Sequence, residues 1–109
     1  MTTTVHRDLD FSNAVFHDGV NLTVRRGTKW ADAHVGEGLR VTDRGFATDY
    51  GATVWAVYTR PFSDADIFHL QLEHDSECRT LEGLYNVMCN VYENFDKDEE
   101  CTFLFFTII

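Results

Sequence analysis

Basic residues are scarce in this chain: nine Lys and Arg stand against eighteen Asp and Glu among 109 residues, for a formal charge of −9. Long nucleic acids are bound largely by neutralising phosphates, so a chain this acidic is not expected to hold duplex DNA. Cysteine is sparse too. Cys78, Cys89 and Cys101 are odd in number, far apart and without a CxxC pair, which argues for reduced thiols and against a disulfide framework or a zinc site. No apolar run approaches the ~20 residues that a membrane helix needs, so no membrane partner is expected. The segment from Met1 to Arg7 has no apolar signal core, and the expected location is cytoplasmic. No P-loop, Rossmann fingerprint, Ser-His-Asp order, internal repeat or linker is present, and no cofactor is expected.

What the chain does have is a core. Apolar residues make up 44% and aromatics 14%, enough for residues 1–109 to fold as a single domain without disulfides or metal. The charge is uneven. Residues 1–62 hold seven basic and seven acidic side chains, whereas residues 63–109 hold two and eleven, so the acidity belongs to the second half.

Periodicity predicts a short first helix from Leu9 to His17, with Phe11, Val15 and Phe16 on one side, Asp10 or Ser12 as its cap and Asp18-Gly19 as its stop. Asn21 to Arg26, Gly38 to Thr42 and Ala52 to Thr59 read as strands, the last ended or marked as an edge by Pro61, the only proline. Ser63 to Asp66 resembles a capping box, while Ile67 to Leu72 fits helix and strand equally well. Thr80 reads as the cap of the clearest helix, whose apolar residues Leu81, Leu84, Tyr85, Met88, Val91, Tyr92 and Phe95 recur at helical spacing. An acidic turn, Asp96 to Glu100, precedes Cys101 to Ile109, which is too continuously apolar for an exposed edge and reads as a strand buried on both faces.

The informative stretch is Gly19-Val20-Asn21-Leu22-Thr23-Val24-Arg25-Arg26. In an extended segment Thr23 and Arg25 leave one face while Leu22 and Val24 leave the other, so a hydroxyl and a guanidinium are displayed together. Arg25, Arg26 and Lys29 form a local basic cluster that could hold a nucleoside or a few exposed bases. The plainer alternative is three solvated residues at a strand end.

The order of elements carries a resemblance. A first helix, the glycine turn into Thr23-Val24-Arg25, the Val35-Gly36-Glu37-Gly38 turn into Leu39-Arg40-Val41, a long middle strand, Glu77-Cys78-Arg79-Thr80-Leu81 opening a helix and a final aromatic strand together resemble the ASCH family of PUA-like barrels. The similarity runs from about Leu9 to Ile109 and is closest to the small bacterial acetylcytidine amidohydrolases of that family. It implies an α+β fold, a small β-barrel of about five to six strands flanked by two to three helices. It also implies a site in which a lysine, a threonine and a glutamate hydrolyse the acetamide of a modified cytidine. By this resemblance Thr23 falls on the threonine, Arg25 on the motif arginine and Glu77 on the glutamate. The lysine is missing: the spacing is one residue short, and its place falls on Val20 or in the gap.

That loss bears on activity, because amide hydrolysis needs an activated nucleophile and a stabilised oxyanion. Valine supplies neither, and arginine cannot act as a base. The expectation is therefore a pocket that binds a nucleoside, a modified pyrimidine or short single-stranded RNA through Thr23, Arg25, Arg26 and Glu77, with Trp30 as an exposed stacking ring and Trp55 in the core. If the chain is an enzyme, it is expected to be an amidohydrolase of acylated cytidine using Thr23 as nucleophile or water-positioning group, Glu77 as base and Lys29 in place of the missing lysine. Tyr50 and Tyr58 could add stacking, and His17 and His34 could border the pocket. His69 and His74, five apart, do not share a helix face and are not expected to bind a metal. A second class of function is an acidic inhibitor that docks on a basic protein through Glu93, Asp96, Asp98, Glu99 and Glu100, although charge runs are usually solvated faces.

Overall fold

The computed structural model describes residues 6–109. It contains five strands, β1 (Arg7–Phe11), β2 (Val20–Arg26), β3 (Gly38–Asp43), β4 (Phe46–Pro61) and β5 (Glu100–Ile108), and one α-helix, α1 (Leu81–Val91). Single 3₁₀ turns occupy Phe62–Asp64, His69–Leu72 and Ser76–Cys78. The strands form one sheet in the order β1-β3-β4-β5-β2, with β1 parallel to β3 and every other pair antiparallel.

The helix predicted from Leu9 to His17 is replaced by β1 and a loop. The decisive period is two: Leu9 and Phe11 are buried while Asp8 and Asp10 face solvent. Asp10 caps no helix. Its carboxylate accepts from the Thr42 hydroxyl at 2.6 Å and the Gly45 amide at 2.8 Å, which pins the end of β1 to the β3–β4 hairpin. The two to three flanking helices reduce to one, since the segment after Pro61 breaks into 3₁₀ turns and Ile67 to Leu72 is neither a strand nor an α-helix.

Strand β5 is the spine. Phe103 and Phe105 enter one core layer with Leu22, Val24, Phe62, Leu84 and Met88, while Leu104 and Phe106 enter the other with Leu9, Phe11, Trp30, Val41 and Val54. Both faces are covered, as the apolar run of the terminal segment predicts. Helix α1 begins where expected: the Thr80 hydroxyl accepts from the Gly83 amide at 3.1 Å. It stops at Val91, and Phe95 lies beyond it, buried edge-on against Phe62.

The sheet does not close into the expected barrel. Closure would require β1 and β2, its two edges, to pair. Instead the free edge of β2 meets the segment after the second 3₁₀ turn, at a single bridge between Leu22 and Glu73, reinforced by the His74 amide donating to the Leu22 carbonyl at 3.0 Å. Side chains of Phe11, Arg25 and His74 fill the gap: the Arg25 guanidinium lies 4.8 Å over the Phe11 ring, and Phe11 packs edge-on to His74 at 4.7 Å. None of the helices among the described residues is long and apolar enough to cross a membrane.

Gly83 is a point of close approach, because a Cβ there would fall on the Glu77 carbonyl oxygen. Alanine normally favours a helix over glycine by about 1 kcal/mol. At this position the clash reverses the sign: Gly83→Ala is expected to destabilise by about 1–3 kcal/mol in urea unfolding, while Asn86→Ala on the exposed side of the same helix is neutral or slightly stabilising.

Candidate functional site

The unclosed edge of the sheet is also where the molecule has a cavity of mixed polar and apolar lining. It holds about 220 Å³ and is walled by the end of β1 (Asp10, Phe11), by Thr23 and Arg25 of β2, by Glu73, His74 and Asp75, and by α1 through Leu84 and Met88. Strand β2 delivers its two polar residues as alternation requires. Thr23 pairs with Leu104 across the ladder and Leu22 with Phe105, so Thr23 and Arg25 share one face and Leu22 and Val24 the other. Asn21, fully buried, holds the preceding loop by donating to the His17 carbonyl at 2.9 Å and accepting from the His17 amide at 3.0 Å. That loop reaches β2 through Gly19, whose φ of +81° suits glycine.

Arg25 is largely withdrawn from water, and desolvation pulls its pKa below the ordinary value against the raising influence of Tyr92, Glu73 and Asp10. It remains a cation near neutrality. Among the described residues the one hydrogen bond of its guanidinium runs from Nε to the Thr23 hydroxyl at 3.2 Å, so its two terminal nitrogens have no protein acceptor.

Glu73 is the carboxyl that the structure brings to this cavity. It is 2% exposed, and burial pushes its pKa up to about 8, opposed by the Asp75 amide and by the cations Arg25 and Arg79. Its Oε1 lies 3.2 Å from His74 Nε2 and accepts weakly from the Asp75 amide at 3.4 Å. Its Oε2 is shut off from solvent and has no hydrogen-bond partner. Leaving a buried acceptor unmet costs about 1–3 kcal/mol. Burial also lowers the pKa of His74, to about 4, with Arg25 and His17 adding to the effect and the Val15 carbonyl and Asp75 opposing it. Cys78 lines the same cavity, but burial raises its thiol to about 12, so it is an inert wall and not a nucleophile.

The other residues singled out in the sequence go elsewhere. Glu77 is exposed, in the 3₁₀ turn that follows Asp75, with its amide donating to the Asp75 carboxylate at 3.0 Å; it borders a neighbouring cleft with His17, Ser76 and Arg79. Arg26 turns away to a two-pronged ion pair with Glu99, at 2.6 and 2.7 Å, and to the Glu93 carbonyl. Lys29 is exposed in the turn beyond β2 and does not line the cavity.

The two tryptophans exchange roles. Trp30 is buried in the second core layer beneath the Arg7 guanidinium, because the Gly27 turn folds the chain back over the sheet. Trp55 is 59% exposed beside an irregularity in the β4–β5 register. Tyr50 is exposed, and Tyr58 shares a hydrogen bond with His69 at 2.9 Å. His17 engages the carbonyls of Asp18 and Leu72, and His34 sits beside Glu37. In the acidic turn, Asp96 accepts from the Asp98 amide and Glu99 is held by Arg26, so part of that charge is structural.

Glu73 is the site residue that sequence reasoning missed. Its signal was weak: a Glu-His pair directly after Leu70-Gln71-Leu72, where the secondary structure was ambiguous.

The molecule is thus a small α+β domain built on a five-stranded mixed sheet, with a cavity at the sheet's unclosed edge. No family model matches the sequence, and no curated protein matches it. Among solved structures the chain is similar to an ASCH domain from Lactobacillus crispatus JV V101, at 11% identity over 81% of this chain, with a TM-score of 0.65. The likeness is one of fold, and the match spans 63% of the length of that structure.

The two shifted groups give the fold a defined pH dependence. Glu73 is raised from 4.5 to about 8, so its contribution is complete below pH 4.5 and is lost as pH rises towards 8. His74 is lowered from 6.5 to about 4, so its contribution is present above pH 6.5 and is lost as pH falls towards 4. Between pH 6.5 and 8 Glu73 alone of the pair acts. Stability in urea is expected to fall there by up to about 1.4 kcal/mol per pH unit, and Glu73→Gln is expected to flatten the slope.

Proposed function

We propose that the cavity binds a pyrimidine nucleoside, a modified pyrimidine or an exposed base of a short single-stranded RNA. The observation that carries this reading is the buried Glu73 carboxyl with its unpartnered Oε2, set in the same wall as an Arg25 guanidinium whose terminal nitrogens are free. An acceptor and a pair of donors in a small, partly apolar recess suit a flat, uncharged ring carrying both N–H and carbonyl groups. The cytosine edge has both. Glu73 accepts from the exocyclic amine, Arg25 donates to the ring carbonyl, and the Thr23 hydroxyl adds a further hydrogen bond. Glu73 here takes the part that the resemblance assigned to Glu77. A ligand of this size needs one favourable patch and not a basic surface, which agrees with the chain's net charge of −9. The fold shared with an ASCH domain supports the same reading.

One observation favours a second reading, hydrolysis of an acylated cytidine. A carboxyl raised to about 8 titrates where a general acid or base works, and it lines the same cavity as Thr23. Against it, the lysine that the resemblance calls for falls on Val20 or in the gap, and Lys29 is outside the cavity. Binding without turnover is therefore the proposal.

The test is an NMR titration with cytidine, acetylcytidine and a short single-stranded RNA at low salt, with acetate read in the same samples. Amide shifts centred on Thr23, Arg25 and Glu73 are expected, with no acetate. Arg25→Met and Glu73→Ala are expected to weaken cytidine binding about tenfold, the cost of one or two buried hydrogen bonds, and Glu77→Gln by less than about twofold. Acetate release that Glu73→Gln abolishes would establish the hydrolase instead. Silence for every ligand would remove the nucleoside reading and leave a basic protein partner for the acidic half as the alternative.

A further inference from the structure

Strand β4 is covered on different sides along its length: Phe46 to Thr53 pair with β3, and Ala52 to Pro61 pair with β5. Beyond Val54, whose backbone exchanges hydrogen bonds with Gly36 and Glu37, its β3-side edge has no backbone partner among the described residues. The phase of the ladder says which groups face that edge. The Phe62 amide donates to the Glu99 carbonyl at 2.8 Å, in register with Pro61 opposite Glu100. Alternation then turns the backbone of Arg60 and Tyr58 towards β5 and that of Val57 and Thr59 away from it. Pro61, which has no N–H to offer, ends the row.

Unpaired N–H and C=O groups repeated along an edge are a template for an incoming strand. Exposed apolar side chains flank this one. Trp55 stands at the head of the row, Val35 precedes the Gly36 that donates to the Val54 carbonyl, and Phe68 precedes the His69 that bonds the Tyr58 hydroxyl. The other end is acidic. Asp64 and Asp66 follow Pro61, Glu100 lies opposite it and Asp98 accepts from the Ser63 hydroxyl at 3.4 Å, four carboxylates against Arg60 and Lys97. Arg60 is turned inwards, over the Tyr58 ring at 4.5 Å and donating to the Asp64 carbonyl. We propose that this edge takes up an extended segment of a basic partner protein as a further strand, paired through Val57 and Thr59. Its apolar residues pack on the exposed side chains, and its basic residues meet the carboxylates beyond Pro61. A second copy of the chain is disfavoured, because each copy brings a charge of −9. None of the residues lining the cavity belongs to β4, so docking here and binding there are separate events.

The test is amide hydrogen exchange read by NMR, with a short end-capped peptide of alternating valine and lysine as the probe and its valine-glutamate counterpart as the control. In the free protein the Val57 and Thr59 amides are expected to exchange fast, and those of Tyr58 and Arg60, bonded to β5, slowly. The lysine peptide is expected to slow Val57 and Thr59 and to bind about tenfold tighter than the glutamate peptide, a preference that added salt narrows. Thr59→Pro removes one edge donor without costing a β5 hydrogen bond and is expected to abolish binding. Asp64→Asn with Asp66→Asn leaves the edge intact and is expected to cut the preference to about twofold. Equal affinity for the two peptides, or no slowing of Val57 and Thr59 by either, overturns the proposal. Slow exchange of both amides in the free protein overturns it too: a dimer in sedimentation then assigns the edge to a second copy, and a monomer shows the edge to be covered by the chain itself.

Discussion

Everything in this molecule hangs on β5 being buried on both faces and paired on both edges. Its alternating Phe103, Leu104, Phe105 and Phe106 set the two core layers, and its ladder with β2 fixes which face of β2 turns towards which layer. A register slip of one residue would exchange Thr23 and Arg25 for Leu22 and Val24. The polar face of β2 is therefore imposed from the core outwards, by aromatic side chains that never touch the cavity.

The same sheet stops short of closure, and its functional interest lies in that gap. With β1 and β2 left as edges, the segment carrying Glu73, His74 and Asp75 docks on β2 through one bridge and one amide–carbonyl bond. It presents a carboxyl to a guanidinium across a recess walled by apolar side chains. A carboxyl so enclosed is most stable neutral, and an arginine beside it that is partly withdrawn from water keeps its charge. The carboxyl has one buried oxygen without a hydrogen-bond partner.

Much of this was legible in the sequence, where local patterns decide local structure. Period two placed Thr23 and Arg25 together, Thr80 marked the start of α1, and the terminal aromatic run announced a two-faced strand. The resemblance to the ASCH family found its counterpart in a fold match. What failed was decided at long range. Leu9 to His17 offered a helical spacing, but parallel pairing with β3 and the Asp10 tie to the hairpin made it a strand and a loop. Trp30 and Trp55 were assigned in reverse, because neither the fold-back at Gly27 nor the β4–β5 irregularity is written in the residues beside them. Glu73 and Glu77 lie four apart in one ambiguous segment, and the difference between a buried carboxyl and an exposed one comes from the His74–Leu22 contact, half the chain away.

The central claim is that Glu73 is a neutral, buried carboxyl in the wall of the cavity. The most direct measurement is a ¹³C titration of its side-chain carboxyl in the native protein. The account predicts a midpoint near 8, well above that of the exposed Glu77. A midpoint near the ordinary 4.5 would contradict it, since it would mean that the carboxyl is hydrated and the cavity holds no unmet acceptor.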